Sequence, residues 1–127
     1  MTLQEGQDQG IEIDLSVYRE LFLEESQQHL GALREYLARL ADDAADSTAL
    51  REARRSAHTL KGMAYTMHYE DLGVLGKMLE NQLESHSVLS SDQIRALFIG
   101  CDEFETGLKR LGEESGDDNL DSGSAGT

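Results

Sequence analysis

The stretch Ala57-His58-Thr59-Leu60-Lys61-Gly62 places an imidazole and an ammonium three residues apart. A neutral imidazole nitrogen is a nucleophile, and a cation one turn away can offset the charge of a phosphoryl group brought to it. Which way the histidine points decides whether it is free to react. Leu50, Ala53, Ala57, Leu60, Ala64 and Met67 recur in steps of three and four, drawing one apolar stripe along a helix over residues 48–67. At about 100° per residue, His58 lies about 130° from the centre of that stripe and faces water. Lys61 flanks the stripe one turn on, and Arg54 sits one turn back on the same side. Alone, an exposed histidine reads as an ordinary surface residue. Its neighbours give it a chemical reading.

The rest of the chain must position that helix. At 127 residues there is room for one domain with a single core. Abundant Leu, Ala and Glu, few aromatics and no proline favour an all-α fold. Leu23, Ser26, Leu30, Leu33, Leu37 and Leu40, with Phe22 widening the stripe, mark a long first helix capped at Asp14 or Ser16. Residues 41–47 form a short connection ending in an N-cap at Asp46 or Ser47. His68 and Tyr69 break the second helix from a third, whose core is Leu72, Leu75, Leu79 and Leu83. His68 is read as a turn residue. Gly73 and Gly76 cost up to about 1 kcal/mol each relative to Ala, and they let the facing helix approach near the histidine.

A capping box, Ser90-x-x-Gln93, opens a fourth helix with its stripe at Ile94, Leu97, Cys101, Phe104, Leu108 and Leu111, and Gly112 is the natural stop. Cys101 on that stripe reads as a buried, inert thiol. The architecture expected is an antiparallel up-down four-helix bundle over 13–112, with a flexible segment over 1–12 and an acidic, Gly/Ser-rich flexible tail or linker over 113–127.

Charge and composition exclude several functions. A net charge of −14 argues against nucleic acid, whose binding needs basic surface, and against an anionic membrane. No apolar run approaches the roughly 20 residues that cross a bilayer. One cysteine and no secretion signal fit a cytoplasmic setting. A carboxylate-bridged metal site would need Glu-x-x-His on two helices, which the sequence lacks, and His29 reads as a boundary residue rather than a ligand. In so acidic a chain, Arg51, Arg54, Arg55 and Lys61 form a basic cluster around one histidine, as a docking surface for an acidic partner would.

The string His58-Thr-Leu-Lys-Gly-Met-Ala-Tyr-Thr-Met-His-Tyr-Glu-Asp-Leu, followed by Leu79-Glu80-Asn81, resembles histidine phosphotransfer (HPt) domains. It is most similar to the N-terminal phosphotransfer domain of CheA-type chemotaxis histidine kinases. Tyr18-Arg-Glu-Leu-Phe-Leu-Glu-Glu-Ser, leading to His29-Leu30, is similar to that family's first helix. The resemblance implies that His58 is the phosphoacceptor and that Glu80 hydrogen-bonds and orients its imidazole. A carboxylate on Nδ1–H fixes the tautomer that leaves Nε2 nucleophilic. Lys61 would offset phosphoryl charge. Lys77 stands where the family often has a histidine, so it joins the same polar network as a departure, angled outward and weaker than Glu80. Arg51, Arg54, Arg55, Gly62 and Tyr65 make up the expected partner-binding face.

The function so implied is a phosphorelay. His58 accepts a phosphoryl group from the ATP-binding domain of a histidine kinase, in cis or in trans, and passes it to an aspartate of a response-regulator receiver domain. No nucleotide-binding loop or acidic metal cluster is present, so ATP and Mg²⁺ are expected on the partner domains. The chain reads as a substrate and relay rather than an enzyme on its own. The competing reading is an adaptor or structural four-helix bundle with a lapsed site.

Overall fold

The computed structural model describes the backbone of residues 2–125 and the side chains of residues 16–114. Four helices follow one another: α1 (Thr2–Asp42), α2 (Ser47–Thr66), α3 (Glu70–Glu84) and α4 (Ser91–Ala125). Each packs on its neighbours in sequence and α4 closes back on α1, while the diagonal pairs, α1 with α3 and α2 with α4, keep their backbones apart across the core. That is the up-down bundle expected of four amphipathic segments joined by short connections.

The expected stripes form the core. Leu30, Leu33, Leu37 and Leu40 of α1 meet Leu79 and Leu83 of α3 and Leu97, Phe104 and Leu108 of α4 in one buried cluster. Leu23, Met67, Leu75 and Leu111, expected on the stripes, are only partly buried at its margin. Leu89, in the connection before α4, is buried although no periodicity marked it. Ser26 is fully buried on the α1 stripe with an unpartnered hydroxyl.

The segment ends follow local chemistry. Asp46 caps α2 by accepting from the amide of Ala49 at 3.0 Å. Ser90 and Gln93 make the reciprocal bonds of the capping box, at 3.1 and 2.7 Å. At the end of α2 the amide of Tyr69 donates to the carbonyl of Ala64 and that of His68 to Tyr65, the two bonds of a Schellman motif. The motif needs positive φ at His68, where φ is 64°. A turn role for His68 therefore has a stated cause.

Two expected ends move. Gly112 does not stop α4, and α1 carries helical backbone N-terminal to Asp14 and Ser16. A single glycine in a helix costs about 1 kcal/mol relative to Ala, so it permits an end without imposing one. The flexible segment expected over 1–12 lies outside the residues whose side chains are described, as does the tail beyond 114.

The site depends most on how α2 meets α3. The buried face of α2 is built of Ala49, Ala53, Ala57 and Ala64 with Leu50 and Leu60, which keeps it slim. Opposite, a Cβ on Gly76 would stand 2.8 Å from the Lys61 Cα, and one on Gly73 2.6 Å from the ring of Tyr65. Gly62 is the contrast, since a Cβ there meets nothing within 4 Å. The two glycines should therefore respond oppositely to alanine. Gly76→Ala is expected to destabilise the fold by about 1–3 kcal/mol through overpacking, and Gly62→Ala to stabilise it by about 0.5–1 kcal/mol. Denaturant unfolding of both variants checks the pair of signs.

Candidate functional site

The close approach of α2 and α3 brings three of the expected residues together. The register is antiparallel, with Tyr65 on Gly73, Lys61 on Gly76, and His58 on Glu80. His58 Nδ1 lies 2.6 Å from Glu80 Oε2, and Lys61 Nζ lies 2.7 Å from Glu80 Oε1. One carboxylate thus holds both the histidine and the lysine of the motif. Its own side chain is 11% exposed, whereas that of His58 is 66% exposed.

The hydrogen bond determines the imidazole's form. An ionised carboxylate has only acceptors, so the neutral ring must place its proton on Nδ1 and donate it to Glu80. Nε2 is then left with a free lone pair, on a ring anchored at one side and open at the other. Glu80 is ionised for a physical reason. Burial alone would raise its pKa, but the hydrogen bonds from Lys61 and His58, and their charge, outweigh burial and hold the carboxyl below its ordinary range.

The remaining expected residues divide. Gly62 is exposed, and Tyr65 is 39% exposed with its ring laid over Gly73. Arg51 and Arg55 are exposed and both reach Glu52, at 3.9 and 3.5 Å. Arg54 does not join them as a free docking cation. Its Nε donates to the carbonyl of Leu83 at 2.9 Å and its Nη2 to that of His86 at 3.1 Å. Helix ends leave carbonyls without intrahelical partners, and a long cation on the neighbouring helix satisfies them. Lys77 is exposed and has no hydrogen bond or ion pair, so the cation on Glu80 is Lys61 and not Lys77. Among the described residues no group of three His, Cys, Asp or Glu side chains could hold a metal ion.

The sequence reading missed one feature beside the site. Tyr18, Leu21, Phe22 and Glu25 of α1 line a groove of about 380 Å³ with Gly62, Met63, Thr66 and Met67 of α2. Tyr18 and Leu21 are 52% and 46% exposed. Their only sequence signal was apolar character off the α1 stripe, which is common on any surface.

Residues 17–114 match the family described as Hpt domain. The chain belongs to the Hpt domain family. This Hpt domain is 36% identical over 103 residues to the chemotaxis protein CheA of Bacillus subtilis, covering 78% of this chain and 15% of that protein. To CheA of Halobacterium salinarum it is 32% identical over 108 residues, covering 82% of this chain and 16% of the relative. In three dimensions it is similar to the CheA phosphotransferase domain of Thermotoga maritima, with a TM-score of 0.70 and 31% identity over 74% of this chain and 93% of that one. The Hpt domain is a phosphorelay phosphotransfer module of the CheA-like kind, and it spans about a sixth of the length of those curated relatives. No helix among its described residues is long and apolar enough to cross a membrane.

Glu80→Gln should loosen both arms of the carboxylate. An amide can donate as well as accept, so Nδ1–H is no longer enforced. The ¹⁵N shifts of the His58 ring are expected to report a single Nδ1–H tautomer in the wild type and a mixture in the variant. The same pair tests linkage. A carboxyl whose folded pKa is depressed contributes stability above its unfolded pKa, near 4.3 for glutamate, and loses it as pH falls through the lower folded value. The stability difference between wild type and Glu80→Gln should therefore be full at neutral pH and shrink on acidification below about pH 4, as denaturation at a series of pH values will read.

Proposed function

We propose that His58 is the phosphoacceptor, receiving a phosphoryl group from the ATP-binding domain of a histidine kinase, in cis or in trans, and passing it to an aspartate of a response-regulator receiver domain. The setting is chemotaxis-type two-component signalling in the cytoplasm. The observation that carries this reading is the 2.6 Å bond from His58 Nδ1 to Glu80, which leaves Nε2 unprotonated on an exposed ring.

The chemistry balances without a general base. The Nε2 lone pair forms the N–P bond as the bond from the γ-phosphorus to the leaving nucleotide oxygen breaks. No proton moves, because Nδ1–H is already in place. The ring becomes cationic, and the Glu80 carboxylate stabilises it. In the second step an aspartate oxygen attacks phosphorus, the N–P bond breaks, and its electron pair returns to Nε2. Phosphoryl transfer of this kind needs in-line approach and charge stabilisation more than covalent help. ATP and Mg²⁺ belong to the partner domains.

Access comes from the surface around the ring. Gly62 lies one turn beyond His58, and a glycine there serves nothing within the fold, so it clears space for an incoming domain. Tyr65 and the apolar groove between α1 and α2 continue that surface, while Arg51 and Arg55 supply exposed positive charge.

His58→Gln is expected to abolish acid-labile, base-stable labelling by a CheA-type kinase and Mg-ATP while the fold is retained, with stability lowered by about 1–2 kcal/mol as Glu80 loses its imidazole donor. Undiminished label that maps to His29, His68 or His86 contradicts the assignment. An unlabelled wild-type chain favours an adaptor bundle.

Docking has its own test. Arg51→Glu with Arg55→Glu should slow transfer to a receiver domain through association, and the wild-type rate should fall with salt. A salt-independent wild-type rate leaves the two arginines as solvated surface.

A further inference from the structure

Phosphorylation of Nε2 adds up to about two negative charges to a site whose nearby cations are already engaged. Lys61 is held on Glu80 at 2.7 Å. Arg54 is tied to the carbonyls of Leu83 and His86. Arg51 and Arg55 share Glu52. Lys77 alone among these cations is exposed with no hydrogen bond or ion pair.

Its place in the register is informative. Gly76 abuts Lys61, and Glu80 bonds His58. Lys77 follows Gly76 on a helix antiparallel to α2, so it stands at a level between Lys61 and His58. It lies three residues before Glu80, hence on the same side of α3. One helical turn is about 5.4 Å, and a lysine's flexible four-carbon stem spans about 6 Å. The stem is therefore of the length that separates this level of α3 from a group carried on Nε2.

We propose that Lys77 is a phosphoryl-binding residue that engages only after His58 is phosphorylated, while Lys61 stays on Glu80. The inference rests on the reading of His58 as phosphoacceptor. In the unphosphorylated chain Lys77 remains solvated, since the one carboxylate in the site is already shared by Lys61 and His58. Once the phosphoryl group arrives, the ammonium pairs with its oxygens and favours the dianion. The pair also lengthens the life of the phosphohistidine. Hydrolysis breaks the N–P bond, returns the electron pair to the cationic ring at Nε2 and joins water's oxygen to phosphorus, with water's protons leaving on the inorganic phosphate. The transition state is loose, and as the ring takes back its electrons the phosphoryl oxygens lose charge. A cation that binds those oxygens therefore stabilises the starting state more than the transition state.

The experiment labels the full chain with a CheA-type kinase and Mg-ATP, removes the donor, and follows loss of label and the ³¹P shift against pH. Lys77→Ala should lose its phosphoryl group about two- to fivefold faster, the size expected of one exposed ion pair, and the midpoint of its ³¹P titration should move up. Lys77→Arg should stay close to wild type, and added salt should shorten the wild-type lifetime towards that of Lys77→Ala. A phosphorylated Lys77→Ala chain with unchanged lifetime and unchanged ³¹P titration overturns the assignment to Lys77 alone. So does a loss carried entirely by Lys61→Met, which shows that Lys61 leaves Glu80 for the phosphoryl group. If the wild-type chain takes no label at all, the phosphoacceptor reading fails and Lys77 falls with it.

Discussion

A single carboxylate, shared between an imidazole and an ammonium, is the interaction on which this site depends. Glu80 is nearly buried, yet it stays ionised because His58 and Lys61 each place a donor on one of its oxygens. A carboxylate desolvated without such partners would take up a proton and could then no longer command the tautomer of the ring. With both partners present it does three things at once. It fixes the proton on Nδ1, it holds the ring against α3, and it neutralises the motif lysine. Nε2 is thus left with a free lone pair by hydrogen bonding alone.

That carboxylate can reach His58 only because two helices come unusually close. Alanines line the buried side of α2, and Gly73 and Gly76 on α3 leave no side chain where Tyr65 and Lys61 press in. The glycines cost helix stability, and the fold recovers the cost through leucines elsewhere in the bundle. Small residues at this seam are what bring Glu80 to His58. The turn at His68 serves the same end, since the Schellman motif there reverses the chain within a few residues and sets the register of α3 against α2.

Cations on α2 fall into structural and surface roles that are not interchangeable. Arg54 and Lys61 turn towards α3, one to the carbonyls at its end and one to Glu80. Arg51 and Arg55 remain on the open face, paired only with Glu52. In an acidic protein those two exposed arginines give the neighbourhood of His58 a local sign opposite to that of the chain as a whole. On the proposed docking, that contrast is what selects an acidic partner, more than raw affinity.

The sequence by itself determined the bundle, the four stripes, a cap at Asp46 or Ser47 and one at Ser90, the turn at His68 and the exposure of His58. Each of these follows from spacing along one helix or from chemistry within a few residues, where periodicity and capping act directly. The resemblance to a known family added Glu80, which no local pattern would have singled out. Tertiary structure decided the rest. Which lysine meets Glu80, that Arg54 clamps a helix end, that Leu89 joins the core, and that Tyr18 and Leu21 border a groove with Gly62 all depend on the facing element. Periodicity gives the side of a helix on which a residue lies. It does not give the register or closeness of the neighbour, and those are set by side-chain volume at the seam, here by glycine and alanine.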